Sequence, residues 1–333
     1  MRLFVYEFVT GGGMPATETS PSLLREADLM VGALMADLAE VPGIELLTVR
    51  DPRLAPLPRV ELLTPRPGES YQSAYRRGLD RSDAVWPIAP ETDGVLESLA
   101  QTAVTRGTVL LGSRPDAIHI AASKKRTAAM LLRAGVPVAP AFTSATEFPL
   151  IPGSWIVKPD DGAGCGFTRR VADADQASEA LLATTGLIAQ PWLEGEARSL
   201  SLLCAEGRAT LLAVNRQHID TAPDGTLSLV GLDVNAFPDP TGSLADLAAR
   251  VARAIPSLWG YVGIDFVETN SGPVVLDVNP RLTTSYCGLR RAFGVNIGAR
   301  VLELLHQAPR LPSQGPSGAG EVVALALEPA HER

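Results

Sequence analysis

Near the carboxyl end, two short apolar runs carry acids and an amide at alternating positions. They are Gly263-Ile264-Asp265-Phe266-Val267-Glu268 and Val274-Val275-Leu276-Asp277-Val278-Asn279, separated by Asn270-Ser271-Gly272-Pro273. The separating tetrapeptide has turn composition, so the stretch reads as a β-hairpin. Side chains alternate faces along a strand, which puts Asp277 and Asn279 on one face and Leu276 and Val278 on the other. Ordinary pairing of the two strands brings Asp265 beside them. Two carboxylates and an amide oxygen form a hard-oxygen set suited to Mg²⁺, and Arg281 just beyond is placed to meet an anion. An acidic, solvated strand face is the alternative that these residues leave open.

A cation at that face needs an anionic ligand, and two stretches upstream have the chemistry to hold one. Ser123-Lys124-Lys125-Arg126-Thr127 opens an amphipathic helix through Leu131 and Leu132 that stops at Ala134-Gly135-Val136-Pro137. Residues 154–159 read as a strand with Lys158 near its end, followed by Asp160-Asp161-Gly162-Ala163-Gly164-Cys165-Gly166-Phe167 and a returning strand over 168–171. Glycines let backbone N–H groups close on an anion, so the loop suits a triphosphate; a plain hairpin turn competes with that reading.

Further strands are expected over 187–193, leading into Glu194-Gly195-Glu196, and over 199–204 and 209–215 as an antiparallel pair. A helix over 243–255 precedes the acidic hairpin. The amino-terminal part alternates differently: strands at 3–9, 44–49, 83–89 and 109–112, with helices at 23–38 and 95–106, suggest a parallel α/β layer. Open α/β sheets bind ligands at the carboxyl ends of their strands, where Glu7 and Glu91 stand as candidates for a substrate amine. Solvated or capping carboxylates are the plainer alternative. Residues 52–68 read as irregular, 306–320 as a Pro, Gly and Ser-rich connection, and 322–327 as a last strand.

The 333 residues exceed one typical core, and 46% hydrophobic with 20% charged residues is globular. A net charge of −8 argues against a nucleic-acid scaffold or an anionic membrane surface. Cys165, Cys204 and Cys287 match no metal or redox spacing and read as reduced thiols. Tyr6-Glu7 interrupts the amino-terminal apolar run too early for a secretory signal, and no apolar run approaches the roughly 20 residues of a membrane span. A cytoplasmic chain is expected. The four histidines, His119, His218, His306 and His331, are scattered and suggest no triad.

Taken in order, these parts resemble the ATP-grasp superfamily over about residues 120–300. The most specific pieces are Lys124-x-x-Thr127-x-x-x-Leu131-x-x-x-Gly135-Val136-Pro137 and Asp277-Val278-Asn279-Pro280-Arg281. A narrower likeness rests on Ala89-Pro90-Glu91-Thr92-Asp93, Asn215-Arg216-Gln217 and the run Asn279 to Tyr286. These look like the branch containing tyramine–glutamate ligase of methanofuran biosynthesis and its relatives in methylofuran-type pathways.

The resemblance implies an α/β fold, α+β overall: an amino-terminal domain over 1–119, a small ATP-grasp lid over 120–195, and a carboxyl-terminal subdomain over 196–333. It implies that Lys124 and Lys158 contact ATP phosphates and that Gly162, Gly164 and Gly166 close over them. Gln190, Pro191, Trp192 and Leu193 would hold adenine, with Glu196 or Glu194 taking the ribose because the usual acidic position is Ala197. Asp265, Asp277 and Asn279 would hold two Mg²⁺ ions, with Mn²⁺ as a substitute. Arg281 and Arg216 would neutralise the transferring phosphoryl group, and Ser285 and Tyr286 would border the substrate. The activity implied is an ATP-dependent carboxylate–amine ligase working through an acyl phosphate, joining glutamate to tyramine or a related amine. Another amino-acid ligase or a non-catalytic nucleotide-binding protein of the same fold is the alternative. Its partners are small molecules, with no nucleic acid or membrane; a homodimer is compatible.

Overall fold

The apolar run after Met1 forms strand β1 (Arg2–Glu7), buried on both faces, as expected of a central parallel strand. The computed structural model describes residues 1–15, 17–66, 68–162, 167–305 and 320–327. Helix α1 (Pro21–Leu38) follows, started by Ser20, whose side chain accepts from Leu23 N. Then come β2 (Glu45–Val49), β3 (Val60–Leu63), α2 (Tyr71–Leu79), β4 (Ala84–Ile88), α3 (Val95–Thr105) and β5 (Val109–Leu110). The five strands form a parallel sheet in the order β3-β2-β1-β4-β5. β3 lies in the stretch read as irregular. It is an edge strand with only Leu63 buried, so it carries no apolar alternation to announce it.

Helix α4 (Pro115–Ala121) leads directly to α5 (Lys124–Arg133), which is capped by Ser123 and left through Gly135 at φ +69°. A small antiparallel sheet, β7-β6-β8, consists of β6 (Trp155–Pro159), β7 (Arg169–Val171) and β8 (Leu187–Pro191), with α6 (Ala174–Ala183) packed on it. Gly164, Cys165 and Gly166 lie outside the described residues.

The rest builds a six-stranded antiparallel sheet, ordered β13-β12-β9-β10-β11-β14. Its strands are β9 (Glu196–Ala205), β10 (Arg208–Thr221), β11 (Leu227–Phe237), β12 (Gly260–Thr269), β13 (Gly272–Asn279) and β14 (Val323–Ala326). Helix α7 (Ser243–Ala254) sits between β11 and β12 in sequence, and α8 (Tyr286–Phe293) and α9 (Ile297–Glu303) follow β13. The hairpin connection is tighter than the tetrapeptide suggested, because Thr269 already pairs with Gly272. Pro273 is tolerated within β13 because β13 is the sheet's edge.

Two cores grip this sheet from opposite sides. One shares Leu200, Val262, Ile264, Phe266 and Val278 with α4, α5 and α7. The other joins Leu203, Tyr261 and Val234 to α8, α9, α1 and the β1 residues Leu3 and Val5, so the parallel layer and the six-stranded sheet share one core. The segment after α5 stitches the remaining joint. Pro137 O and Ala139 N bond Val275 on β13, and Phe142 exchanges backbone hydrogen bonds with Ala189 on β8.

Candidate active site

Strand register makes the site. Asp265 pairs with Asp277 and Gly263 with Asn279, so the expected trio converges on one face. Asn279 Nδ2 donates to Asp265 Oδ2 at 2.9 Å. Gly263 keeps the floor flat: a β-carbon there would stand 2.9 Å from Thr283 Cγ2, where the loop after Arg281 folds back over the strand.

The electrostatics of the pair are unresolved by the protein itself. Burial, and then repulsion from Asp277, push the Asp265 carboxyl up to about 6, against the lowering effect of hydrogen bonds from Asn279 and Gln217. The nearby cations are Lys124 Nζ, 3.4 Å from Asp277 Oδ2, and the Arg281 guanidinium, which also lowers Asp265. A carboxylate pair of this kind fits a divalent cation, which would remove the repulsion, and Asn279 adds an amide oxygen of the right hardness. Mg²⁺ therefore suits the donor set that the strands bring together.

Lys124 sits at the first turn of α5 with only 6% exposure. Its ammonium donates to Gly162 O at 2.5 Å and to Asp160 O at 3.4 Å, so it joins the root of the glycine loop to Asp277. Asp160 closes the same corner by accepting from Lys125 N at 2.9 Å and Ser123 Oγ at 2.6 Å. Lys125 itself turns outward to Thr143. Lys158, opposite Ile188 on β8, is buried at the same end of the small sheet.

Gln190 is buried and donates to Ala139 O at 3.3 Å, which fixes β8 to the connecting segment. Beyond Pro191, Trp192 N donates to Ser154 O, its indole donates to Glu194 Oε1 at 2.7 Å, and Arg170 lies 4.3 Å from its ring. Leu193 is half-buried beside it. Glu196 does not stand open for a ribose. It is held by Arg216 at 2.8 Å and Arg198 at 2.6 Å; burial opposes ionisation, but these hydrogen bonds keep its carboxyl below the usual range.

Arg216 belongs to that cluster rather than to the Asp265 face. It bonds Glu196 and approaches Asp233 at 3.6 Å, while its neighbour Gln217 donates to Asp265 Oδ1 at 2.9 Å. Alternation along β10 explains the exchange: Asn215 and Gln217 share one face and Arg216 takes the other. Asn215 is fully buried and donates to Ser199 Oγ and Ser201 Oγ, extending a hydroxyl network through Tyr261, Thr283 and Ser285. The period-two rule applied to Asn215-Arg216-Gln217 puts Gln217 on the face of Asn215, a signal that the charge of Arg216 outweighs in the sequence.

At the far end of the site, Arg281 Nε donates to Glu91 at 3.0 and 3.1 Å, across 190 residues of sequence. Burial opposes the charge, but Glu91, with Glu26 and Asp277 nearby, keeps the guanidinium protonated. Glu91 is thus a partner of Arg281, not a free acceptor for an amine. Glu7 is likewise engaged: it is 2% exposed and accepts from Val9 N and Thr10 N at 3.1 and 2.6 Å, tying down the exit of β1. Ser285 is buried in the hydroxyl network, and Tyr286 OH donates to buried Asp37 on α1 at 2.6 Å. Both stitch the carboxyl-terminal helices to the sheet and to α1, and neither side chain is open to a substrate.

Comparison with known proteins agrees with this architecture. Residues 121–285 match an ATP-grasp domain and residues 44–118 a pre ATP-grasp 3 domain. The chain is 24% identical to a tyramine–L-glutamate ligase of Methanocaldococcus jannaschii over 273 residues, 81% of this chain and 80% of that one. It is 30% identical to a probable alpha-L-glutamate ligase of Xanthomonas oryzae pv. oryzae over 225 residues, 63% of this chain and 74% of that one. Among solved structures, an ATP-grasp superfamily protein from Archaeoglobus fulgidus superposes with a TM-score of 0.72 at 23% identity, covering 98% of this chain and all of that one. The chain belongs to the ATP-grasp family. Its activity class is that of the ATP-grasp ligases, which form carbon–nitrogen bonds. Among the described residues no helix is long and apolar enough to cross a membrane.

Proposed function

We propose that the protein joins a carboxylic acid to an amine through an acyl phosphate, with glutamate and tyramine, or an amine of similar shape, as the pair. The carrying observation is the convergence of Asp265, Asp277, Asn279, Lys124 and Arg281 at one end of the six-stranded sheet. The choice of substrates leans on the tyramine–L-glutamate ligase relative, which matches four-fifths of both chains.

In this reading Asp265, Asp277 and Asn279 hold the metal, which when bound supplies charge neutralisation for the phosphates. Lys124 and Lys158 receive phosphate oxygens, and the segment Gln190 to Leu193 cradles adenine. Arg281 neutralises the transferring phosphoryl group. A carboxylate oxygen of the acid attacks the γ-phosphorus and ADP departs. The amine nitrogen then attacks the acyl carbon, loses a proton, and inorganic phosphate leaves. Such chemistry needs positioning and charge compensation more than a protein nucleophile, which suits the acids, amides and cations that meet here. The three sheets correspond, in this reading, to an amino-terminal domain, a lid and a metal-bearing subdomain, and the protein works in the cytoplasm.

A second reading is favoured by the alpha-L-glutamate ligase relatives: the acceptor is another amino acid or a peptide. A matrix of acids against amines, with tyramine, glutamate and glutamyl acceptors included, separates these by ADP and phosphate release. Release requiring both tyramine and glutamate supports the first. Release with an amino-acid acceptor alone supports the second. Tight ATP binding without turnover on any pair marks a nucleotide-binding module.

A further inference from the structure

The loop that leaves β4 makes two separate grips. Glu91 holds the Arg281 guanidinium through both carboxylate oxygens, at 3.0 and 3.1 Å. The next two residues hold the root of the glycine loop instead. Thr92 Oγ1 donates to Asp161 O at 3.1 Å, and Asp93 N donates to Asp161 Oδ2 at 3.2 Å. Three consecutive residues therefore contact Asp161 and Arg281, which are separated by about 120 positions in sequence.

The shape of this loop is held firmly. Asp93 and Gly94 are consecutive residues in the left-handed region, at φ +55° and +66°, and Gly94 is also the residue from which α3 starts. Only a few side chains tolerate that conformation, aspartate among them. Below the loop, Glu91 is 7% exposed at its side chain and Arg281 13%, so their pairing is shielded from solvent screening. Both neighbours of Asp161 are held as well: Asp160 accepts from Ser123 Oγ and Lys125 N, and Gly162 O takes the Lys124 ammonium.

We infer that Glu91 is a positioning residue for Arg281, and that Thr92 and Asp161 tie this positioning to the glycine-loop root. The loop Glu91-Thr92-Asp93 sets the guanidinium relative to Asp161, which is beside the corner held by Lys124. Glu91 accepts from Nε, and Nη1 donates to Leu282 O at 3.3 Å, so two of the three guanidinium nitrogens are held by the protein. Withdrawal of Asp161 from Thr92 loosens the loop and with it the seat of Arg281. The inference rests on the reading of Arg281 as the group that meets the γ-phosphoryl, so its test is built on nucleotide binding and not on turnover.

The test measures affinity for ADP and for the β,γ-imido analogue of ATP by calorimetry with Mg²⁺, using wild type, Glu91→Gln, Thr92→Val and the double variant. Arg281 acts only on the third phosphate, so the ratio of the two affinities reports its placement. Glu91→Gln is expected to cut that ratio by about five- to tenfold and leave ADP affinity within about twofold, the range for loss of one charge-assisted contact. Thr92→Val is expected to cut it by about two- to threefold, and the double variant should match Glu91→Gln alone, since coupled residues are not additive. An unchanged ratio in Glu91→Gln, or full multiplication of the two effects in the double variant, overturns the inference. Should Glu91→Gln lose its cooperative melt, Thr92→Val decides alone: a lowered ratio at unchanged Tm supports the relay, and an unchanged ratio sinks it. Absence of turnover with every acid and amine, combined with the expected ratios, strikes the ligase assignment and leaves the relay standing.

Discussion

Two pairs of carboxylates in this molecule look alike in sequence and differ in physics. Glu7 and Glu91 stand at the ends of neighbouring parallel strands, and each has its partner within the protein: Glu7, which burial pushes up, accepts from two backbone N–H groups of its own turn, and Glu91 holds Arg281. Asp265 and Asp277 stand opposite each other on paired strands, with an amide, a glutamine, Lys124 at 3.4 Å and the Arg281 guanidinium nearby, and still Asp265 is pushed up to about 6. The first pair is held by contacts within the protein; the second is the pair that the proposed function gives to a cation. A buried acid marks a ligand site by what its neighbours fail to neutralise.

The largest test of that contrast is Asp277→Asn. It is expected to lower kcat by about a hundredfold or more, as loss of a metal ligand does, with a cooperative melt retained. A near-normal rate places the metal elsewhere. Next comes the choice between neighbours on β10. Gln217→Leu should reduce kcat or Mg²⁺ affinity by roughly tenfold, the usual scale for a residue that orients a ligand, whereas Arg216→Ala should change kcat less than about threefold. The reverse order would return Arg216 to the phosphoryl group.

A pH test bears on Asp265 directly. A raised carboxyl adds stability only while it is protonated, so the contribution of Asp265 is present below its ordinary value near 4 and is lost as pH rises through about 6. In chelator, the Tm difference between Asp265→Asn and wild type should therefore move in the variant's favour by roughly 3–6 °C between pH 4 and pH 7. A flat difference over that window removes the repulsion argument. The smallest effect is expected at Glu7→Gln: about 1–2 kcal/mol of stability, from one weakened backbone hydrogen bond at a buried site, with no change in KM for either organic substrate. An amine KM raised tenfold would restore Glu7 to the substrate.

The hairpin was legible in the amino-acid sequence because alternation and a short turn set register almost alone, and register is what brings Asp265, Asp277 and Asn279 together. The same holds for α5, whose start at Ser123 and exit at Gly135 are local signals. What escaped depends on partners distant in sequence. β3 is a solvent-facing edge, β11 carries Gly231, Asp233 and Asn235 through an irregular pairing, and neither shows a clean period. Glu91 and Tyr286 were read as open polar groups because nothing local announces Arg281 or Asp37, 190 and 249 residues away. Gln217 was the exception, since its face follows from Asn215 two residues earlier.

The central claim, that the hairpin is the metal-bearing floor of an ATP site, is met most directly by titrating Mn²⁺ in the presence of ADP and following the free ion by electron paramagnetic resonance. Wild type should bind Mn²⁺ tightly, and Asp277→Asn should bind it at least about tenfold more weakly, in line with removal of one carboxylate ligand. Equal Mn²⁺ affinity in the two proteins would contradict the account.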